Sequence, residues 1–144
     1  MKFWRDRGRE PILIRKEIKG FVPGRLAWSL LREAIHIVNE DIVTVKELDR
    51  IIESSMGTRW AYAGPFMSFN MGGGPGGLQS LLENVGESVQ ACRDDAGKIN
   101  MGEEREEKVF SQTQAAYREI DLAARDRANQ RILEAATEDK VSGP

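Results

Sequence analysis

The 144-residue sequence holds one cysteine, Cys92, and one histidine, His36. A single thiol cannot close an internal disulfide, so a reducing, cytoplasmic setting is expected. A single imidazole rules out a multi-histidine zinc site, and no metal is expected. There is no basic excess. The 21 Lys and Arg against 23 Asp and Glu leave a formal charge of −2, whereas nucleic acid or an anionic membrane calls for a positive surface. No apolar run approaches the ~20 residues of a membrane span. The charged start, Met1 to Arg7, has no apolar signal-peptide core behind it. Strand-like segments are also scarce: only Pro11-Ile12-Leu13-Ile14-Arg15 suits a short strand or an extended linker.

What remains is helical. From about Val22 to Asn39, Leu26, Ala27, Leu30, Leu31, Ala34, Ile35 and Val38 recur at i, i+3, i+4 and i+7, with Pro23 in the first turn. The opposite face carries Arg25, Ser29, Arg32, Glu33 and His36. Thr44 and Glu47 form an S/T-x-x-E capping box that starts a second helix, expected to fray over Ser54 to Gly57. Gly64-Pro65 and the run Gly72 to Gly77 are breakers, so Phe66 to Met71 is at most a short helix. Leu78 to Cys92 reads as a helix interrupted near Gly86, Asp94 to Gly102 as a loop, and Glu103 to Ala136 as one long helix. The expectation is an all-α fold of about five helices. Residues 1–20 form an N-terminal arm and extended segment, 21–137 the helical domain and 138–144 a disordered tail. Phe3, Trp4, Phe21, Trp28, Trp60, Phe66, Met67 and Phe69 outnumber the places in so small a core, which points to a partner or a ligand groove.

Five places bear on chemistry. Gly72, Gly74 and Gly77 satisfy G-x-G-x-x-G literally, but Pro75 lies inside the run and no strand precedes it. A tight turn is the better reading, and no cofactor is expected there. His36 has a pKa suited to a general base, or is an interface histidine on a polar face. In Arg59-Trp60-Ala61-Tyr62, Arg59 suits a carboxylate or a carbonyl while Trp60 packs on a substrate. The alternative is a buried arginine tying helix ends beside a core tryptophan. Asn70 offers hydrogen bonds beside the glycines. Asp126, in Arg125-Asp126-Arg127, is a base or, by preference, an ion-pair partner of Arg59 or Arg25.

The segment Glu17-Ile18-Lys19-Gly20-Phe21-Val22-Pro23-Gly24-Arg25-Leu26 resembles the hinge that opens the C-terminal domain of 3-hydroxyacyl-CoA dehydrogenases, E-x-x-G-F-[IV]-x-N-R-L. Gly57 to Phe66 is similar to the R-[WY]-A-x-x-G-P signature of the branch containing carnitine dehydrogenase, gulonate dehydrogenase and λ-crystallin. Gly73-Gly74 and Gly76-Gly77 match that branch's glycine-rich segment, and Arg125-Asp126-Arg127 its R-D element. The resemblance covers about Pro11 to Ala136 and implies a helical bundle that dimerises through apolar surfaces. It also implies an active site completed by a Rossmann domain, which carries the NAD site and the catalytic His–Glu pair. That domain has no counterpart in this sequence, and Gly24 stands where the hinge has asparagine.

Two functions are therefore carried forward. In the first, the chain is a cofactor-independent isomerase, cyclase or lyase, of the kind found in secondary metabolism. Phe21, Arg25, Trp28, Trp60, Phe66 and Met67 line an apolar substrate pocket, and Arg59, Asn70, Tyr62, Asp126 and His36 are its catalytic candidates. In the second, it is a non-catalytic dimerisation or partner subunit for a separate Rossmann-domain protein. A homodimer is expected in either case, with a small, largely apolar molecule as ligand.

Overall fold

Every regular element among the described residues of the computed structural model, which are 2–5, 11–98 and 106–141, is helical. The chain divides into two units, Met1–Leu31 and Arg32–Pro144. In the first, the short helix α1 (Lys2–Arg5) carries Phe3 and Trp4, whose rings meet edge to face at 5.3 Å. Residues 11–14 have no regular structure. Of the two readings of Pro11–Arg15, a short strand or a linker, the structure shows no strand: among the described residues there is no neighbouring strand with which to form a ladder. Gly20, at φ +78, turns the chain, and Phe21 N–H donates to the Ile18 carbonyl at 3.1 Å. Helix α2 (Phe21–Asn39) starts there.

In the second unit the C-terminal half of α2 buries Ile35 and Val38, the latter 1% exposed. Asp41, in the left-handed region at φ +58, bends the chain toward α3 (Val45–Ile52). The capping box forms as the sequence indicated. Thr44 Oγ1 accepts from Glu47 N–H at 3.3 Å, and the Glu47 carboxylate accepts from Thr44 N–H at 2.9 Å. The bonds that the Glu47 carboxylate accepts from the Thr44 N–H and from the Thr44 hydroxyl, at 2.7 Å, hold the carboxyl below its ordinary range.

The helix does not fray at Ser54–Gly57. It continues as a π-turn, Glu53–Gly57, into α4 (Thr58–Tyr62). Hydroxyl side chains usually compete with helix backbone, but here they bond back onto it. Ser54 donates to the Arg50 carbonyl at 2.6 Å, Ser55 to Ile51, and Thr58 to Glu53 at 2.7 Å.

Helix α5 (Pro65–Gly72) follows, then a 3-10 turn at Gly74–Gly76 and the 19-residue α6 (Gly77–Asp95). Gly86 does not interrupt α6. A mid-helix glycine costs only about 1 kcal/mol, and packing of α6 on α5 opposes that cost. The long final helix is instead two. Helix α7 (Glu106–Ala116) ends in bends at 117–119, and α8 (Leu122–Val141) begins where Asp121 Oδ1 accepts from Ala124 N–H at 2.9 Å. Such an aspartate is a ready-made helix start, which is why the chain breaks there. Residues 138–141, expected to begin a disordered tail, instead continue α8; residues 103–105 of the expected helix and residues 142–144 lie outside the described residues.

Helix α7 lies on α3 through polar bonds. Lys108 Nζ donates to the Asn39 carbonyl at 3.3 Å and pairs with Asp41. Gln112 Oε1 accepts from Val45 N–H at 2.9 Å, and Tyr117 donates to Asp49. Apolar burial is sparse: among the described residues only Ile35, Val38 and Ala63 are buried hydrophobics, and only Val38 fully so.

Candidate functional site

The corner between α4 and α5 gathers the aromatic residues singled out in the sequence. Ala63 is buried, and its N–H donates to the Arg59 carbonyl at 2.8 Å. Ser68 anchors the corner from the other side, donating its hydroxyl to the Ala63 carbonyl at 3.0 Å. Pro65 opens α5 at a position where its missing N–H is not needed. The corner is therefore firmly held while its long side chains face outward. Trp60, Tyr62, Met67 and Phe69 are exposed, and Phe66 is 80% exposed. Arg59 is exposed too, with no side-chain hydrogen bond or ion pair among the described residues. It does not tie helix ends together, and Trp60 is not core.

The glycine run is a structural turn. A side chain at Gly73 would overlap the Gly77 carbonyl, and one at Gly77, which sits at φ +60, would meet Asn70 Oδ1 at 2.5 Å. Asn70 Oδ1 also accepts from Leu78 N–H at 3.0 Å, capping α6. A dinucleotide-binding loop needs a strand before its first glycine. Here helix α5 precedes it, and the space at Gly73 is filled by backbone. These residues do not fit a nicotinamide cofactor.

His36 is half-buried on α2 beneath Gly97. A Cβ at Gly97 would overlap the imidazole, and Gly97 N–H donates to Glu33 at 2.9 Å. Asp126 pairs with its neighbour, not with Arg59 or Arg25: Arg125 donates from Nε at 3.0 Å and from Nη2 at 2.7 Å. Phe21, Arg25 and Trp28 belong to the first unit and are exposed. In the second unit α4 packs against both α5 and α8, which brings the elements carrying Arg59, Tyr62, Asn70 and Asp126 into one neighbourhood. His36 lies instead against Gly97, just past the exit of α6.

Sequence reasoning missed the open groove of about 480 Å³ along α8, lined by Asp126, Arg127, Gln130 and Arg131. The i, i+4 spacings of 126 with 130 and 127 with 131 were the available signal. It also missed the Tyr117–Asp49 contact. That bond, with partial burial and the charges of Asp49 and Glu53, pushes the Tyr117 phenol up to about 12. Among the described residues no group of His, Cys, Asp and Glu is arranged to hold a metal, and no helix is long and apolar enough to cross a membrane.

A family model described as the 3-hydroxyacyl-CoA dehydrogenase C-terminal domain matches residues 20–106, more than half of the chain. The chain belongs to this family. The 3-hydroxyacyl-CoA dehydrogenase C-terminal domain matched here spans α2 to α6, the hinge, the α4–α5 corner and the glycine turn. Helices α7 and α8 lie almost wholly beyond it. The relatives include an L-carnitine dehydrogenase of Oceanobacillus iheyensis, 46% identical over 81 residues, covering 56% of this chain and 26% of that protein. One from Staphylococcus epidermidis is 39% identical over 83 residues, covering 58% and 26%. One from Pseudomonas putida is 30% identical over 139 residues, covering 94% of this chain and 43% of that protein. The chain thus spans between about a quarter and somewhat under half of these relatives' length.

Proposed function

We propose that this chain is an associating helical unit, working as a homodimer, that supplies the substrate-side wall of an active site and leaves hydride chemistry to a nucleotide-binding domain. One observation carries the reading. The aromatic corner of α4 and α5 stands open around an unpartnered Arg59, while the proton-transfer candidates are tied into the fold. Asn70 caps α6, Asp126 is held by Arg125, and His36 lies under Gly97. Such a wall binds and orients; it has few groups left to move protons.

Its chemistry suits a small molecule with an anionic end and a bulky apolar or quaternary-ammonium end. A guanidinium grips a carboxylate through two parallel donors. Indole and phenol faces attract a quaternary ammonium, which favours Trp60 and Tyr62 as its seat. L-carnitine, the compound named for the relatives, carries both ends and is the probe of choice. The expected result is saturable quenching of tryptophan fluorescence by L-carnitine. Arg59→Ala should weaken affinity about tenfold or more, equivalent to about 1.4 kcal/mol, and Trp60→Ala should remove most of the signal. Unchanged affinity in both variants would refute the proposed wall.

A second reading is favoured by one residue. Gly24 stands where the family hinge has asparagine, so the ancestral substrate contact has been given up. In that reading the chain is a cofactor-independent isomerase, cyclase or lyase. Arg59 polarises a carbonyl, Tyr62 and Asn70 donate hydrogen bonds, and Asp126 or His36 moves the proton. The same samples separate the two. Elimination of water from L-carnitine without any nicotinamide, followed as the absorbance of the conjugated alkene, would select the lyase form of this reading over the first.

A further inference from the structure

We infer that the groove along α8 is an oxyanion site, in which Arg127 and Arg131 grip the phosphoryl group of a small, hydroxylated phosphate monoester. The segment matched to the family ends at residue 106, and α8 lies wholly beyond it. The groove shares no residue with the α4–α5 wall proposed above.

The charges along α8 are unequally satisfied. Arg125 is fully engaged: its Nε and Nη2 both donate to Asp126 Oδ1, at 3.0 and 2.7 Å. Those two residues are neutral as a unit. Arg127 has only a loose ion pair. Its Nη2 stands 3.7 Å from Asp121 Oδ2, beyond hydrogen-bond distance, and Asp121 already caps the helix through Oδ1. Arg131 makes no side-chain hydrogen bond or ion pair among the described residues. The groove therefore carries two guanidiniums with little to offset them. They are four residues apart, which sets their Cβ atoms about 5–6 Å from each other on one face. Like charges at that spacing weaken a helix slightly. An anion seated between them turns the repulsion into attraction.

Shape and the remaining oxygens narrow the ligand. The groove, about 480 Å³, is lined by Asp126, Arg127, Gln130 and Arg131, which is room enough for a small metabolite. Gln130 Nε2 donates to Glu134 at 2.8 Å, so its carbonyl oxygen is what it has left to offer. Asp126 Oδ2 takes no bond from Arg125. Two forks of donors and two acceptor oxygens in one groove suit an oxyanion carried on a body with hydroxyl groups.

Charge selects phosphate over carboxylate. A phosphate monoester carries about −1.5 to −2 near neutral pH, which matches two guanidiniums. A monocarboxylate would leave one of them unneutralised. The planar fork of arginine also meets two phosphate oxygens at once, with fixed geometry and permanent charge.

The test is calorimetric titration of the full chain with glycerol 3-phosphate, inorganic phosphate and glycerate. Glycerol 3-phosphate should bind most tightly, inorganic phosphate more weakly, and glycerate at least about tenfold more weakly than glycerol 3-phosphate. Binding of glycerol 3-phosphate should tighten between about pH 5 and 7.5, because the second phosphate proton leaves near pH 6 while arginine stays charged. Arg127→Gln and Arg131→Gln should each weaken it at least about tenfold with helicity unchanged, since both side chains are exposed. Arg93→Gln, at an exposed arginine on α6, should have no effect. Broadening of the phosphorus resonance of glycerol 3-phosphate by the same samples gives a second readout that does not depend on heat. Absence of saturable binding, or affinity unchanged in Arg127→Gln and Arg131→Gln, overturns the site. So does an equal loss in Arg93→Gln, which would mean general charge attraction. Glycerate bound as tightly as glycerol 3-phosphate overturns the phosphate assignment, and equal affinity for the two phosphates overturns the acceptor role of Gln130 and Asp126.

Discussion

Tyr117 donates its phenolic hydrogen to Asp49, and the bond, with burial and the charge of Asp49 and Glu53, raises the phenol to about 12 from an ordinary value near 10. The folded state thus favours the neutral phenol. Its contribution is complete below about pH 10 and is lost as pH rises toward 12, because only the unfolded chain then ionises freely. The difference in urea midpoint between wild type and Tyr117→Phe should stay constant from pH 7 to 9 and shrink between 10 and 12. A difference independent of pH across that window would show that the bond does not form. Of the two polar devices on α3, only the capping box was legible in the sequence, because Thr44 and Glu47 are three residues apart. The partners Asp49 and Tyr117 are 68 residues apart, and no local pattern announces them. The same holds for Glu33 and Gly97. Arg125 next to Asp126 was in plain view, yet more distant arginines were preferred as its partner. Adjacent side chains on a helix diverge, and here Arg125 folds back on its neighbour.

At the scale of elements, apolar periodicity located α2 and the capping box located the start of α3, while α6 was expected to break near Gly86 and does not. Periodicity failed where hydroxyl side chains decided the backbone. Ser54, Ser55 and Thr58 read as a helix end, and they instead fasten a π-turn that carries the helix on to Arg59 and Trp60. A π-turn holds one residue more than an α-turn, so everything after it is rotated by roughly 100°. Deleting Ser55 should convert the segment to plain α-helix, preserve the far-ultraviolet circular dichroism and turn Arg59 and Trp60 away from their present direction. The expected readout is loss of L-carnitine quenching without loss of helicity. Quenching that survives the deletion would mean the π-turn does not aim the wall. The glycine run was read correctly as a turn, since the alternative required a strand that the flanking residues could not form.

For the whole molecule, the all-α class and the family followed from the sequence, but the scarcity of buried apolar side chains did not. A sequence shows how many aromatics there are, and only coordinates show that no more than three hydrophobic residues are buried among those described. Under the proposed homodimer this exposed surface would be covered by association, and the melting temperature should then depend on concentration. For a dimer of this size the expected rise is about 2–3 °C per tenfold increase in protein. A melting temperature constant over a hundredfold range would point to a stable monomer. The bonds from α7 to α3 have a practical corollary for anyone trimming the gene. The segment shared with the family ends at residue 106, where α7 begins. A fragment cut there would keep α3 but strip Val45 of Gln112, Asn39 and Asp41 of Lys108, and Asp49 of Tyr117. The border of similarity falls inside a single folding unit, so expression boundaries belong after α8 and not at the end of the match.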